Sequence, residues 1–156
     1  MAISKSLKEH LKFRGIAYQM VPHSHTATSM QTAQAANISG EFVAKGVVLA
    51  EEDTYLLAVV PATHRLQFAW IHQHLGHDAG LATEEEIGRL FEDCELGAVP
   101  ACGEPFGLKT IVEERLLELP AVCFESGDHE QLLRLSGEGF RALVEKAEVA
   151  SISRHI

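Results

Sequence analysis

Residues 41–60 read EFVAKGVVLAEEDTYLLAVV, which is two apolar runs separated by the acidic residues 51–53. Valine and aromatic residues are typical of strands, and a short polar break between two such runs predicts a β-hairpin. We therefore expect strands over residues 42–50 and 55–60, joined by a turn. Alternation along the first strand then decides which side chains share a face.

Lys45 is the residue that does not fit the first apolar run. Alternation places it on the same face as Val43 and Val47. Lysine is almost never fully buried unless it is paired. Two interpretations stay open: Lys45 lies on an edge strand and reaches water, or it projects into a pocket where its amine binds an anion, stabilises an oxyanion or acts as a base.

The rest of the chain alternates short helices with short strands. The predicted helices cover residues 4–14, 29–37, 63–75, 84–91 and 138–147, and the further strands cover 16–21, 109–112, 121–125 and 131–135. Hairpins mixed with interspersed helices predict an α+β fold. We expect one compact domain over residues 1–156, with a mixed, mostly antiparallel sheet surrounded by helices.

The charge of the chain limits its partners. Its 156 residues include 22 acidic and 13 basic side chains, a formal net charge of −9. Such a charge opposes binding to duplex DNA, because that affinity depends on neutralising phosphates. A short nucleic-acid end held by a local basic surface remains compatible with it.

The cysteines and the apolar runs predict the compartment. Three cysteines without a CxxC spacing are typical of free thiols in a reducing compartment. No apolar signal segment or membrane-spanning run occurs, so we expect a cytoplasmic protein with no membrane partner. No glycine-rich nucleotide loop occurs and the spacing of His72, His74 and His77 matches no helical metal motif, so we expect no cofactor and no metal.

Two further stretches carry candidate functional groups. Residues 96–103 read LGAVPACG, and the backbone N–H groups of such a loop can bind an anion or stabilise an oxyanion. His129 follows a predicted strand, where it can serve as a general acid or base with Asp128 orienting it. Both stretches are also consistent with surface turns, and Cys102 in the loop is a nucleophile only if a base lies near it.

Four segments, in this order, resemble the YbaK/prolyl-tRNA synthetase-associated editing-domain family. They cover residues 27–49, 56–66, 94–119 and 124–144. The resemblance implies a mixed sheet that curls towards a barrel, with helices around it. It also implies trans-editing, the hydrolysis of the ester that joins a wrong, small amino acid to the 3′ end of a tRNA, with tRNA-Pro as the expected tRNA.

The resemblance also implies roles for single residues. Lys45 matches the family's central-strand lysine, Gly97 begins the loop that holds the aminoacyl group, and His129 matches the histidine of a GDH turn; these three are the expected catalytic residues. Members often carry two prolines in this loop, whereas residues 97–101 hold Pro100 alone. The residues expected to contact the substrate are Val43, Val47, Ala98, Val99, Pro100, Ala101, Gly103 and Asp128.

The implied partner is the 3′ end of an aminoacyl-tRNA, with an aminoacyl-tRNA synthetase as a second candidate. Two other functions stay open. One is a non-catalytic module that binds an aminoacyl or nucleotide ligand or a protein. The other is a hydrolase that depends on the Cys102 thiol.

Overall fold

The computed structural model describes residues 3–26 and 28–156. Helices and short strands alternate along these residues, as the pattern predicts. The helices are α1 (Lys5–Arg14), α2 (Ser29–Ala35), α3 (Phe68–Leu75), α4 (Glu84–Leu90) and α5 (Gly137–Leu143). The strands are β1 (Gln19–Pro22), β2 (Ala44–Glu51), β3 (Thr54–Pro61), β4 (His64–Leu66), β5 (Gly80–Leu81), β6 (Lys109–Glu113), β7 (Ala121–Glu125), β8 (Gln131–Ser136), β9 (Glu148–Ala150) and β10 (Ser153–His155).

The predicted hairpin is confirmed and forms the centre of the larger sheet. Strands β2 and β3 are antiparallel, with Ala44 opposite Pro61 at one end and Glu51 opposite Thr54 at the other. The strand order of this sheet is β5-β2-β3-β6-β9, and β6 is parallel to both β3 and β9. The parallel pairs require the long connections that the intervening helices provide.

Two smaller sheets complete the architecture. Strands β1, β8 and β7 form an antiparallel sheet in that order, and β10 pairs with β4 as an antiparallel ribbon. An isolated parallel bridge between Val43 and Cys123 joins β7 to the start of β2. The mixed, mostly antiparallel α+β class is therefore confirmed. The larger sheet does not close into a barrel, because its edge strands β5 and β9 do not pair with each other.

Local signals explain where two of the helices begin and end. The Ser4 hydroxyl accepts the Leu7 N–H at 3.2 Å at the start of α1, and Gly15 ends that helix at φ 66°, in the left-handed region that glycine adopts readily. Helix α4 begins with the predicted capping box, in which Thr83 and Glu86 exchange two hydrogen bonds. These ends lie within about one residue of their predicted positions.

The predicted helix over residues 63–75 is wrong at its start. His64–Leu66 instead form β4, and α3 begins at Phe68. The partner strand β10 lies almost ninety residues further along the chain, so no local pattern indicates the pairing. On this helix Trp70 is 40% exposed, whereas Ile71 is fully buried.

The core forms three clusters of buried side chains around the larger sheet. One face of the β2–β3 hairpin, with Val48 and Leu57, packs against α1, α5 and β7. The opposite face supplies Leu49 and Val60 to a second cluster. Val43 belongs to a third cluster at the bridge to β7. Across the described residues, no helix is both long enough and apolar enough to span a bilayer.

Candidate active site

Lys45 lies where two apolar clusters meet on one face of the larger sheet. It stands between Val43 of one cluster and Val47 of another, opposite Val60 on β3. Its side chain is half-buried, and within residues 3–26 and 28–156 its amine has neither a carboxylate in ion-pair range nor a hydrogen-bond acceptor. Burial lowers the pKa of Lys45, and the nearby Arg65 guanidinium lowers it further. In the larger sheet residue 45 pairs with β3 only, because β5 joins β2 further along at Leu49 and Ala50.

The bridge between β2 and β7 brings the strand that carries Glu125 next to the strand that carries Lys45. The two strands run parallel through Val43 and Cys123. Lys45 and Glu125 each follow two residues later on extended backbone, and alternation directs both side chains to the same side. Glu125 was not among the predicted site residues.

Glu125 is the centre of a buried cluster with two histidines. The side chains of His23 and Glu125 are 0% and 5% exposed, and that of His129 is 7% exposed. His23 Nε2 lies 3.2 Å from Glu125 Oε1, and His129 Nδ1 lies 3.3 Å from Glu125 Oε2. The second contact has the distance of an ion pair but not the alignment of a hydrogen bond. The Thr32 hydroxyl donates to Glu125 Oε2 at 3.3 Å.

The outward hydrogen bonds of the two histidines determine which ring nitrogens carry hydrogen. His23 Nδ1 lies 2.7 Å from the Ser24 carbonyl and His129 Nε2 lies 2.5 Å from the Leu96 carbonyl. A carbonyl oxygen only accepts, so both of these nitrogens carry hydrogen. The remaining nitrogen of His23, Nε2, faces Glu125 Oε1. Burial raises the pKa of Glu125, which favours a proton on its carboxyl group.

His129 also joins the glycine-rich loop to the turn after β7. Besides the His129 contact with the Leu96 carbonyl, the Glu95 N–H donates to the Gly127 carbonyl at 2.8 Å. Gly97 has φ 83° and His129 has φ 61°, so both adopt left-handed backbone. A non-glycine residue held in this region indicates a turn whose shape is determined by its surroundings.

Gly97 and Val99 expose the part of this loop that a ligand can reach. Their N–H groups have no acceptor among the residues that the structure describes. Gly97 is exposed and Val99 is half-buried. Ala98 lies between them, and its N–H donates to the Glu95 carbonyl at 3.0 Å. A free backbone N–H in such a turn can stabilise a developing negative charge.

The remaining loop residues are structural. Ala98 and Ala101 are 0% exposed, and Pro100 is also buried. A side chain on Gly46 would lie 3.3 Å from the Pro100 carbonyl, so this part of the loop covers the face of β2 opposite Lys45. These side chains therefore face the core and present little surface to a substrate.

Gly103 is required for close packing rather than for contact with a ligand. A Cβ atom there would lie 2.5 Å from Thr110 Oγ1 and 2.8 Å from the Leu108 carbonyl. Its N–H already donates to the Thr110 hydroxyl at 3.1 Å. The Gly103 amide is therefore occupied and supplies no free donor to the loop.

Asp128 holds the turn and does not orient the His129 ring as expected. Its Oδ1 accepts the N–H groups of Glu130 and Gln131 at 2.9 and 3.1 Å. Its Oδ2 is buried without a hydrogen-bond partner in the described structure. Glu125 and the Leu96 carbonyl are the groups that face the ring nitrogens of His129.

The environment of Cys102 argues against a thiolate nucleophile. The residue is 2% exposed, and burial raises the pKa of its thiol to about 12. The thiol therefore keeps its proton at neutral pH.

The predicted residues thus come together in part. The His129 ring is joined to the loop by its contact with the Leu96 carbonyl, whereas Lys45 lies on the face of β2 opposite Val99 and Pro100. The sequence interpretation missed Glu125, His23 and Arg65. The one signal for His23 was its place in the polar stretch after β1. The sequence could not show that β1, β7 and the loop meet, because that meeting depends on tertiary contacts.

A family model for the aminoacyl-tRNA editing domain matches residues 23–143. These residues include the hairpin, the loop and the His23–Glu125–His129 cluster. The chain belongs to the aminoacyl-tRNA editing domain family. No curated protein matches the chain.

Solved structures share this fold over nearly the whole chain. One, described as "a putative trans-editing enzyme for prolyl tRNA synthetase", is 27% identical with a TM-score of 0.82, covering 97% of this chain and 96% of that one. A hypothetical protein is 22% identical with a TM-score of 0.85, covering 96% of this chain and 100% of that one. A "Putative signal transduction protein" from Marinobacter aquaeolei VT8 is 21% identical with a TM-score of 0.76, covering 95% of this chain and 30% of that one. The last two show the likeness of fold alone.

Proposed function

We propose that this chain is a trans-editing aminoacyl-tRNA deacylase, with residues 1–156 acting as one editing domain. It hydrolyses the ester that joins a small, wrong amino acid to the 3′ end of a tRNA, and tRNA-Pro is the first tRNA to test. Membership of the editing-domain family supports the reaction class. The half-buried amine of Lys45, which has no partner among the described residues, is the observation that supports the site.

The chemistry of ester hydrolysis fits the groups that are free in this region. Attack of water on the ester carbonyl forms a tetrahedral intermediate with a negatively charged oxygen. The N–H group of Gly97, which has no acceptor in the described structure, can stabilise that oxygen by about 3–4 kcal/mol when well aligned, whereas Val99 packs over Gly46 on the face of β2 opposite Lys45. The Lys45 amine can hold the terminal phosphate and ribose or position the attacking water. The buried Cys102 thiol has no role in this scheme.

The apolar wall next to Lys45 favours small amino acids. Val47 is half-buried on the same face as Lys45, and Val43 is fully buried at the bridge to β7. An apolar wall of this kind discriminates by only about 1–3 kcal/mol per methylene, so an editing site works mainly by excluding the larger, correct amino acid. Alanine, serine and cysteine are the amino acids to compare.

A deacylation panel tests the proposal. Wild-type protein is incubated with tRNA-Pro charged in turn with alanine, serine, cysteine and proline, and release of the amino acid is followed. We expect release of at least one small amino acid and loss of that activity in Lys45→Ala. Lys8→Ala, which removes an exposed lysine from α1, is the control. Unchanged hydrolysis in Lys45→Ala, with the fold intact by circular dichroism, contradicts the role of the lysine.

The main alternative is a non-catalytic module that binds the same aminoacyl end. Measurable affinity for charged tRNA with less than one turnover per protein molecule favours that alternative. A synthetase partner is also part of the proposal. A chain with net charge −9 repels RNA overall, and a bound synthetase would contribute further contacts with the tRNA. Co-elution with prolyl-tRNA synthetase on size-exclusion chromatography tests this point.

A further inference from the structure

The β4–β10 ribbon carries two arginines directly opposite each other. Arg65 on β4 is paired with Arg154 on β10, so both side chains lie on the same side of the ribbon. Both residues are exposed. Like charges directly opposite each other on paired strands are destabilising. A bound anionic ligand would therefore reduce the repulsion between the two guanidinium groups.

This pair has no acidic partner although the chain has an excess of acid. In the described part of the chain, neither Arg65 nor Arg154 has a carboxylate within ion-pair distance. Other basic side chains are paired: Arg14 with Glu104 at 3.1 Å and Lys109 with Glu148 at 3.2 Å. With 22 acidic residues available, the ribbon is a local basic surface on an acidic protein.

The ribbon is electrostatically coupled to Lys45. Burial lowers the pKa of Lys45, and the Arg65 guanidinium lowers it further, so the charge of Arg65 acts at Lys45. A polyanion that neutralises Arg65 therefore also changes the field at Lys45. Arg65 is thus the member of the pair that this effect connects to the proposed catalytic amine.

Buried hydrogen bonds hold the ribbon in one shape. His64 Nδ1 donates to the Ser153 hydroxyl at 2.8 Å, and that hydroxyl donates to Glu113 Oε1 at 2.8 Å. Glu113 Oε1 also accepts the N–H groups of Ile152 and Ser153 at 3.1 and 3.0 Å. Glu113 is 1% exposed, so its carboxyl group is used in hydrogen bonds to the ribbon rather than in contact with solvent. These hydrogen bonds fix the backbone of the ribbon, and so they fix the positions from which the two arginine side chains extend.

The other side of the ribbon faces a cavity of about 320 Å³ that also carries basic groups. His64 and His155 are opposite each other there, with ring centroids 5.7 Å apart, and Arg115 lines the same cavity. Glu41 and Glu118 also line it. Acidic groups thus offset the positive charge on this side of the ribbon, whereas no acidic group among the described residues pairs with Arg65 or Arg154 on the other side.

We propose that the Arg65–Arg154 pair binds the phosphate backbone of the tRNA acceptor end whose terminal ester reaches Lys45. This inference rests on the proposed function, because it assigns the surface by which the substrate approaches. Guanidinium groups match phosphate oxygens with two parallel hydrogen bonds. A chain with net charge −9 needs such a local surface to bind any nucleic acid. The partner is RNA phosphate rather than an acidic protein segment, since the site it leads to takes an RNA end.

Binding of an uncharged acceptor-stem RNA hairpin with a single-stranded 3′ end tests this inference. Wild-type protein is compared with Arg65→Gln/Arg154→Gln by fluorescence anisotropy from about 50 to about 200 mM salt. We expect affinity at low salt to fall about tenfold. The slope of log affinity against log salt should fall by about 1.4, which is about 0.7 for each of two single-strand phosphate contacts.

Lys8→Gln/Lys12→Gln is the matched control, because it makes the same change of net charge on exposed residues of α1. Equal losses in both double variants, or no loss in the arginine variant, overturn the inference. An acidic peptide that competes with the RNA for wild-type protein with equal affinity also overturns it.

Deacylation is measured separately, so the two proposals can fail independently. If wild-type protein hydrolyses charged tRNA and the arginine variant binds RNA normally, the surface is wrong and the function stands. If wild-type protein hydrolyses nothing but the arginine variant loses RNA binding, the surface is right and the function is wrong.

Discussion

Removing the carboxylate of Glu125 tests the buried cluster most directly. Glu125→Ala removes the hydrogen-bond partner of His23 Nε2, whereas His129 Nδ1 already lacks a hydrogen-bond partner in the described structure. An unsatisfied buried polar group costs about 1–3 kcal/mol, so His23 Nε2 predicts a loss of about 1–3 kcal/mol in the free energy of unfolding. Glu125→Gln keeps a donor and an acceptor at the same place, and we expect it to cost less than the alanine change.

The pH dependence of stability separates a proton-holding cluster from simple packing. Burial raises the pKa of Glu125 in the folded state, so the folded state binds a proton more tightly than the unfolded state does. The contribution of Glu125 to stability therefore falls as the pH rises from its unfolded pKa of about 4.3 to its raised folded pKa. The slope for one proton cannot exceed about 1.4 kcal/mol per pH unit.

Urea unfolding of wild-type protein, Glu125→Gln and Glu125→Ala from about pH 4.5 to about pH 7.5 measures both effects. The wild-type curve should lose stability through this window relative to Glu125→Gln, which has no carboxyl group to titrate. The groups that face Glu125 are His23, His129 and the Thr32 hydroxyl, so His23→Gln and His129→Gln are the control variants. A difference between wild-type and Glu125→Gln that does not change with pH, or an alanine variant that costs under about 1 kcal/mol, refutes the reasoning.

Three further changes test the loop. Gly97→Ala forces a side chain into left-handed backbone at φ 83°, and we expect a loss of about 1 kcal/mol in urea unfolding together with reduced deacylation. Gly103→Ala places Cβ 2.5 Å from Thr110 Oγ1, and overpacking of this kind should cost about 1–3 kcal/mol or more, seen as a lower midpoint in thermal unfolding. Cys102→Ala should retain deacylation, and the native thiol, with a pKa of about 12, should resist iodoacetamide at pH 7 as followed by mass spectrometry; a variant without activity contradicts this.

Short-range signals predicted the elements that depend on neighbouring residues. Periodicity and a polar turn indicated the β2–β3 hairpin, and capping residues indicated the ends of α1 and α4. The same reasoning failed for β4 and for the short strands β5, β9 and β10. A strand of two or three residues has no measurable alternation, and its existence depends on a partner that is distant along the chain.

The candidate site divides in the same way. An apolar strand interrupted by one lysine, and a loop rich in glycine and proline, are visible in the sequence, so Lys45 and Gly97 could be proposed without coordinates. Glu125 could not, because a single glutamate at the end of a predicted strand has no pattern of its own. Its role follows from two histidines that approach it from residues 102 positions earlier and 4 positions later.

The sequence by itself therefore determined which segments are strands, which residues start and end the longer helices, and which side chain is out of place in the central hairpin. These properties depend on interactions within one or two turns of chain. Only the tertiary structure decided that His23 and His129 meet at Glu125, that the loop covers the face of β2 opposite Lys45, and that Arg65 and Arg154 share one side of a ribbon. Burial, proton sharing and unpaired charge are properties of groups that meet in space, and the order of residues along the chain does not specify those meetings.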